Sequence, residues 1–285
     1  MSLASSGSSL PRRTGLFDML RPGARAAFMT LAVSAVLLLF LAPIIILVVT
    51  SLRPGWGVYY IYRGTEFTLA NYVEVFQRGV VIEAFFNSFL VATAATVLSL
   101  GVTVTSGYML SRFKGWLPKT WFTSIYVFRT VPYISWVLPL YVVNESLGLY
   151  DTFFGILAAH VAVHVCFFSW IMKGFFDGID PSMEYAAMID GCTRWGAFRR
   201  VALPAAGPAI AALGILSWLW TWNEFLFALI LTGNRTPLLT VTMAQFVTEL
   251  GTEWNLMSAM AVMAMIPAVI ITLFAQKYVI QGLRI

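Results

Sequence analysis

Residues 177–208, DGIDPSMEYAAMIDGCTRWGAFRRVALPAAGP, form a polar segment between two long apolar runs. We call it the central segment. It carries four of the thirteen acidic residues and three of the eighteen basic residues of the chain. Asp180 and Pro181 favour the start of a helix, and Gly191 favours its end. The pattern therefore predicts a helix, a turn at Gly191 and a second short helix from about residue 193 to residue 201.

The composition around this segment is typical of a membrane protein. Hydrophobic residues make up 59% of the 285 residues, charged residues only 11%, and the mean hydropathy is +0.81. Soluble domains carry about 25% charged residues. The two cysteines, Cys166 and Cys192, provide neither a disulfide framework nor a CxxC metal motif. The chain is therefore predicted to cross a lipid bilayer several times.

Six apolar runs are each long enough to cross a bilayer as a helix, which takes about 20 residues. They lie at about residues 26–52, 84–110, 121–143, 152–175, 204–231 and 256–279. Residues 1–25 are rich in Ser, Gly and Pro and are predicted to be a disordered basic tail. Residues 53–83 are predicted to form an external loop. The predicted fold class is all-α, a polytopic membrane protein with six transmembrane helices.

The distribution of basic residues orients these helices. Of the eighteen lysines and arginines, thirteen fall on the side of the N-terminus, four fall on the opposite side and Arg129 lies within a span. Basic residues accumulate on the cytoplasmic side of membrane proteins, so both termini and the central segment are predicted to be cytoplasmic. The net charge of +5 is assigned to this topology, and no nucleic-acid partner is expected.

The two predicted helices of the central segment have different faces. Met183, Ala186 and Ala187 form a small apolar face on the first helix, and the three arginines lie on the second. Such a hairpin suits insertion into a groove on a soluble partner. The alternative is a helix on the lipid surface that holds its arginines against anionic headgroups. The residues alone leave both open.

The central segment resembles the EAA loop of permease subunits from binding-protein-dependent ABC importers, whose pattern is roughly EAAxxDG followed further on by LP. The matching residues are Ala186, Ala187, Asp190, Gly191, Phe198, Leu203 and Pro204. From Asn87 onward, further short motifs are similar, in the same order, to the maltose-type carbohydrate permeases. They are Asn87-Ser88, Tyr108 with Ser111-Arg112-Phe113, Pro132, Pro139-Leu140-Tyr141, GLYDT at residues 148–152, Trp222-Asn223-Glu224-Phe225, Pro267, Gln276 and Gly282-Leu283. The sequence departs from the family at Tyr185, which occupies the position of the family glutamate, with Glu184 preceding it.

The resemblance implies a transmembrane permease domain over residues 26–285, with a coupling loop at residues 177–203. It implies a carbohydrate importer of the bacterial inner membrane, in which this chain pairs with a second homologous permease, a homodimeric cytoplasmic ATPase and an extracytoplasmic solute-binding protein. ATP and Mg²⁺ would bind to the ATPase, and this chain, which has no GxxxxGK[ST] phosphate loop, is expected to bind no cofactor and to be no enzyme. The residues expected to couple the ATPase to the spans are Glu184, Tyr185, Ala186, Ala187, Asp190, Gly191, Arg194, Phe198 and Arg199.

Polar and aromatic residues inside the predicted spans are candidates for the solute path. Charged groups within a membrane usually face the bundle interior or a water-filled cavity, and indole rings can stack on the C–H faces of sugars. The candidates are Arg129, Tyr133, Trp136, Trp218, Trp222, Asn223 and Glu224. For Arg129 and for Glu224 the alternatives are a structural ion pair between helices or a side chain that reaches the membrane surface near a helix end. For the tryptophans the alternative is helix packing with interfacial anchoring.

His160 and His164 lie four residues apart in the fourth predicted span, a spacing that places both on one helix face. No further ligand lies at a suitable spacing, so hydrogen bonds between helices are expected there and a metal site is not. Three other functions stay open. They are a permease for an anionic sugar derivative or polyol phosphate, with Arg129 as the residue of interest, a secondary transporter, and an intramembrane enzyme. The halves of the chain show no repeat of the kind typical of many secondary transporters.

Overall fold

The structure is a computed structural model that describes residues 22–54, 66–249 and 251–282. Helices dominate these ranges, which confirms the all-α prediction. They are α1 (Pro22–Ser51), α2 (Ala70–Gln77), α3 (Gly79–Arg112), α4 (Trp116–Thr130), α5 (Val137–Ser146), α6 (Phe153–Asp177), α7 (Ser182–Ile189), α8 (Arg194–Ala197), α9 (Leu203–Ala205), α10 (Gly207–Asn223), α11 (Leu226–Leu231), α12 (Leu239–Ala244) and α13 (Trp254–Gly282). A 3-10 turn (Tyr133–Trp136), a π-helical turn (Phe198–Ala202) and an antiparallel pair of short strands, β1 (Val247–Thr248) and β2 (Gly251–Thr252), complete the list. Two compact units make up the chain, Met1–Val49 and Thr50–Ile285.

The described part of the first unit belongs to α1. This helix begins at Pro22, so residues 22–25, which were predicted to belong to the tail, are helical. The rest of the predicted tail, residues 1–21, lies outside the described residues. Proline suits the first turn because the N–H that it lacks would have no helical partner there. Pro43 lies inside α1 without ending it, as is common in membrane helices.

The predicted external loop, residues 53–83, contains more structure than expected. It holds α2 and the first residues of α3, while residues 55–65 lie outside the described residues. The buried Asn71 on α2 donates through Nδ2 to the carbonyl oxygens of Ser51 at 2.8 Å and Arg53 at 2.9 Å. These bonds satisfy carbonyl groups that the end of a helix leaves unpaired.

Four described helices are long and apolar enough to cross a membrane by length and composition: Ala26–Ser51, Gly79–Arg112, Phe153–Asp177 and Trp254–Phe274. Two further candidates are pairs of helices that bend sharply, and counting each pair as one span brings the number in the described residues to six. The chain is therefore a multi-pass helical membrane protein, in the range that the hydropathy pattern predicts.

The third predicted span, residues 121–143, is not one straight helix. α4 ends at Thr130, and the following 3-10 turn and α5 run at 110° to it. Pro132 explains the break, because it lacks an N–H and pushes the preceding residue out of the helical conformation. Val131 is extended accordingly, with φ −69° and ψ 128°.

The fifth predicted span, residues 204–231, also divides. The helical segment Arg194–Ala205 bends by 70° into α10 just before Gly207 and Pro208, and α10 ends at Asn223. Glu224 is extended, with ψ 127°, before the short helix α11 resumes at Leu226. The prediction of a continuous span was therefore wrong in the interior of the segment.

Small residues bring α3 close to its neighbours α6 and α10. Ala92 and Ala95 are fully buried, and a Cβ atom on Gly107 would come within 2.7 Å of Met172 Cβ. Small side chains allow helices to approach closely in lipid, where packing drives association. These three helices form the support from which the central segment extends.

Candidate functional site

The central segment folds into the predicted helix–turn–helix, with shifted bounds. α7 begins at Ser182, and the N–H of Ser182 donates to Asp180 Oδ1 at 2.8 Å, which holds the pKa of this carboxyl below its usual value. The turn follows at Gly191, whose φ is +90°. Gly191 donates to the Met188 carbonyl at 3.1 Å and Cys192 donates to the Ala187 carbonyl at 3.0 Å, the bond pattern of a glycine-ended helix.

The second helix of the central segment, α8, has a threonine as its N-cap, one of the residue types that favour this position. Thr193 accepts a hydrogen bond from the N–H of Gly196 at 3.1 Å. α8 then passes through the π-helical turn into α9 and, after the bend, into α10. The backbone thus connects the central segment directly to α6 at one end and to α10 at the other.

Glu184 joins α7 to a third helix, α3, through its carboxylate. Arg112 Nε donates to Glu184 Oε1 at 2.7 Å, and Tyr108 Oη donates to Glu184 Oε2 at 2.6 Å. We call Tyr108, Arg112 and Glu184 the α3 node. The ion pair is largely withdrawn from water, since 12% of the Arg112 side chain and 6% of the Glu184 side chain are exposed. Glu184 is therefore turned away from any surface partner.

Further hydrogen bonds fix the orientation of the Arg112 guanidinium. Nη2 donates to the carbonyl of Ile179 at 2.8 Å, and Nη1 donates to Ser111 Oγ at 2.9 Å. Ser111 in turn donates to Asp177 at 2.7 Å, and Lys173 pairs with the other oxygen of the same carboxylate at 2.5 Å. The ends of α3 and α6 are thus linked by a connected polar network.

The outer face of the central segment presents large apolar side chains. The exposed fractions are 51% for Met183, 59% for Tyr185, 86% for Ile189 and 64% for Trp195. Among the residues predicted to couple to an ATPase, those exposed are Tyr185, Ala186, Asp190, Gly191, Arg194 and Arg199; Ala187 is half-buried. Phe198 is buried beneath Trp195, with ring centroids 5.1 Å apart, and Glu184 lies in the α3 node. Glu184 and Phe198 therefore hold the segment together and leave surface contact to the others.

In the sequence, Tyr108 and Arg112 stand out only as parts of family-like motifs. Their spacing of four residues places both on one face at the end of α3. An acidic residue on the neighbouring loop, Glu184, was the available sign of a partner. The spacing does not show which of the four acidic residues of the central segment pairs with Tyr108 and Arg112. In the structure the partner is Glu184.

The two tryptophans proposed for the solute path are buried in helix packing. Trp218 and Trp222 stack with ring centroids 5.0 Å apart at 14°, and they are 6% and 3% exposed. Trp218 Nε1 donates to Thr93 Oγ1 at 3.2 Å on α3, and Trp222 Nε1 donates to the carbonyl of Ala264 at 3.1 Å on α13. The prediction of sugar contact is thus not supported for these residues, and the packing alternative describes them.

Glu224 caps a helix at the break in the fifth predicted span. Its carboxylate accepts N–H bonds from Phe227 at 2.9 Å and from Ala228 at 3.2 Å. A carboxylate at a helix N-terminus pairs with N–H groups that lack a helical partner and meets the positive end of the helix dipole. The neighbouring Asn223 is exposed and donates back to the carbonyl of Leu219 at 2.8 Å.

The other path candidates lie around the break between α4 and α5. The Tyr133 ring stacks on Phe227 at 4.7 Å, and the Trp136 ring lies 5.3 Å from Phe128. Arg129 places its guanidinium 4.3 Å from the centre of the Trp170 ring, a cation–π contact. No carboxylate of the described residues lies within ion-pairing distance of Arg129, so an ion pair between helices, one of the alternatives for this residue, is not formed there.

The two histidines lie side by side inside the bundle. His164 Nδ1 is 2.8 Å from Ser217 Oγ on α10, which confirms the expected hydrogen bond between helices for this residue. His160 and His164 have ring centroids 5.9 Å apart. In the described part of the chain, no three His, Cys, Asp or Glu side chains come together as metal ligands.

α4 has an unusual distribution of polar residues for a membrane helix. Lys119, Thr120 and Thr123 are exposed, and Ser124 is partly exposed, all on one side of the helix. The opposite side holds the buried Ile125, and α4 packs there against α6. We call residues 119, 120, 123 and 124 the hydroxyl face. α3 exposes some polar residues as well, among them Thr93 and Thr105, but its exposed positions include large apolar side chains such as Val97 at 64% and Leu98 at 50%.

Comparison with known proteins agrees with this architecture. Residues 98–285 match the family described as "Binding-protein-dependent transport system inner membrane component". The probable ABC transporter permease protein y4oR of Sinorhizobium fredii is 31% identical over 220 residues, 76% of this chain and 78% of that protein. The sulfoquinovosyl glycerol transport system permease protein SmoH of Agrobacterium fabrum is 31% identical over 219 residues, 76% of each chain.

A third relative and one solved structure extend the comparison. The arabinooligosaccharides transport system permease protein AraQ of Halalkalibacterium halodurans is 30% identical over 252 residues, 85% of this chain and 89% of that protein. A chain of a bacterial ABC transporter involved in the import of the acidic polysaccharide alginate superimposes with a TM-score of 0.76 at 23% identity. This match covers 92% of the present chain and 99% of the other, and it shows a shared fold.

Proposed function

The chain belongs to the family of inner membrane components of binding-protein-dependent transport systems, and we propose that it is the carbohydrate-translocating permease subunit of an ATP-driven ABC importer. The central segment would dock on a cytoplasmic ATPase and couple its closure to alternating access of the spans. Both termini and the central segment would then lie in the cytoplasm of a bacterial cell.

The observation that carries the proposal is the exposed apolar face of the central segment. Met183, Tyr185 and Ile189 project from α7, a helix of eight residues, and Trp195 projects beside them. Apolar side chains exposed on a short helix typically anchor in a groove of a partner. The three arginines of the segment are suited to acidic residues around such a groove. The proposed partner is a homodimeric ATPase that binds ATP and Mg²⁺.

The hydroxyl face of α4 supports a water-filled path. A membrane helix that faces lipid exposes apolar side chains, because each uncompensated polar group costs free energy in hydrocarbon. Exposed threonines on α4 are compatible with water or with a protein neighbour, and they can hydrogen-bond to the hydroxyl groups of a sugar. We propose that this face borders the path together with a second, homologous permease.

The substrate class rests on the relatives. Two of them carry names that refer to sugar compounds, sulfoquinovosyl glycerol and arabinooligosaccharides. An extracytoplasmic solute-binding protein would deliver the carbohydrate, as the family description implies.

Reconstitution tests the proposal directly. The chain is co-expressed with the ATPase, second permease and binding protein encoded beside it, and the purified complex is placed in proteoliposomes. Uptake of radiolabelled carbohydrates is expected to require ATP on the side of the membrane where the ATPase lies. It is also expected to require the solute-binding protein on the opposite side of the membrane. Uptake by this chain alone on an ion gradient would contradict the proposal and favour a secondary transporter.

A further inference from the structure

We propose that the α3 node is the link through which movement of the central segment reaches α3. The inference rests on the proposed function, because it assigns the route by which docking of α7 would move the membrane helices. Tyr108, Arg112 and Glu184 are positioning residues in this scheme, and they touch neither solute nor nucleotide.

Chain connectivity gives α3 no direct backbone link to the central segment. The backbone joins the central segment to α6 at Asp177 and to α10 through α8 and α9, so both helices follow when the segment moves. α3 ends at Arg112, and its own backbone continues into α4. A force on α7 can reach α3 indirectly, because α3 packs against α6 and α10. The direct route runs through the bonds that join Glu184 to Arg112 and Tyr108.

The geometry of the node suits the transmission of force in both directions. Both carboxylate oxygens of Glu184 accept short bonds, 2.7 Å from Arg112 and 2.6 Å from Tyr108. Bonds to ionised groups are stronger than neutral ones, and exclusion of water strengthens them further. Glu184 is the one buried residue of α7 in the described chain, so no other side chain of α7 makes a buried contact with α3.

Aromatic packing around Tyr108 makes the node rigid. Its ring lies 4.5 Å from the Phe198 ring in the π-helical turn and 5.5 Å from the Phe176 ring on α6. The Arg194 guanidinium lies 5.6 Å from the Phe113 ring, just beyond the end of α3. The end of α3 is thus held by α7, by α6 and by the second helix of the central segment.

The experiment compares transport with ATP hydrolysis in the reconstituted complex. Glu184→Gln keeps the shape of the side chain but removes its charge, and Tyr108→Phe removes a single hydroxyl group. Each variant is expected to co-purify with the ATPase and to hydrolyse ATP. The amount of solute moved per ATP is expected to fall about tenfold for Glu184→Gln and less for Tyr108→Phe, within the 5- to 150-fold range typical of coupling between sites.

The matched control is Glu253→Gln. Glu253 is likewise a largely shielded carboxylate, with 12% of its side chain exposed, and it pairs with an arginine, Arg78, at 3.1 Å near the other end of α3, away from the central segment. This variant is expected to keep the wild-type ratio of transport to ATP hydrolysis. An unchanged ratio in Glu184→Gln and Tyr108→Phe would overturn the inference, as would loss of the ATPase from both variants, because Glu184 would then act in docking.

The two proposals fail in different ways. If the wild-type complex does not assemble or does not use ATP, the proposed function is wrong. If the wild type transports and the node variants transport equally well per ATP, the function stands and only the inference falls. Should Glu184→Gln not fold, Tyr108→Phe decides, since the loss of one hydroxyl leaves the Arg112–Glu184 pair in place.

Discussion

The carboxylate of Glu224 illustrates how a charged residue inside a membrane protein can serve the backbone. It accepts N–H groups of Phe227 and Ala228 at the start of α11, where the helix would otherwise leave them unpaired. Thr240 adds a bond of 2.9 Å to the Glu224 carbonyl, which ties the same break to α12. Specific hydrogen bonds of Glu224 therefore stabilise the break between α10 and α11.

Replacement of this cap has a predictable cost. Glu224→Ala is expected to lower the free energy of unfolding in detergent by about 1–2 kcal/mol, the usual range for loss of a helix cap. Asn223→Ala is the control, since Asn223 is exposed and bonds only within its own helix; its effect should stay within about 0.5 kcal/mol. Thermal or denaturant unfolding of the purified proteins measures both. Equal stability of the two variants would argue against the capping role.

Residue-level predictions succeeded where the partner lay on the same helix or turn. Gly191 was predicted to end the first helix of the central segment, and it does so with a positive φ. The cap at Thr193 was not predicted, although it follows the same kind of local rule. Trp218 and Trp222 were correctly placed on one helix face, but the sequence does not state which neighbour covers that face. The burial of both rings against α3 and α13 depends on contacts between helices distant in the chain.

Among the helices, α4 combines a buried apolar side with an exposed hydroxyl face. Hydropathy predicted that a span passes through this region, and it did not predict the bend. Pro43 and Pro267 lie inside α1 and α13 without dividing them, whereas Pro132 separates α4 from the 3-10 turn. The outcome at a proline depends on whether neighbouring groups satisfy the freed backbone, which a single sequence does not reveal.

Cysteine labelling tests whether the hydroxyl face meets water. In a chain without Cys166 and Cys192, Thr123→Cys is expected to react with a membrane-impermeant thiosulfonate at least about tenfold faster than Val97→Cys, because only the thiolate reacts and a thiol in lipid remains protonated. Both positions are exposed in the isolated chain, so exposure alone cannot explain a difference. Similar rates in the reconstituted complex would show that α4 borders no water-filled path.

In the assembled fold, the central segment is a hairpin fixed to three helices. The backbone joins it to α6 and α10, and side chains at the end of α3 contact it at Glu184, Ile179 and Phe198. The family pattern in the sequence predicted the location of this hairpin. It did not predict that Glu184, adjacent to the position of the family glutamate, would point inward and leave Tyr185 exposed.

Gly191→Pro is expected to prevent association with the ATPase while leaving membrane insertion intact. Proline fixes φ near −65° and has no N–H, whereas Gly191 has φ +90° and donates to Met188. The relative orientation of α7 and α8 would therefore be lost. Gly174→Ala in α6 is the control, since a Cβ there meets nothing within 4 Å. Co-purification of the proline variant with normal amounts of ATPase would refute the docking surface.

The hydroxyl face of α4 also has a consequence for biosynthesis. With 15 residues, α4 measures about 22 Å, less than the roughly 30 Å of a hydrocarbon core. A short helix with a lysine, an arginine and three exposed threonines is a poor candidate for release from the translocon into lipid by itself. Its apolar side packs against α6, which is synthesised later, and to a smaller extent against α3. We therefore expect stable insertion of α4 to depend on later parts of the chain, and a copy whose hydroxyl face finds no neighbour would keep polar groups against lipid.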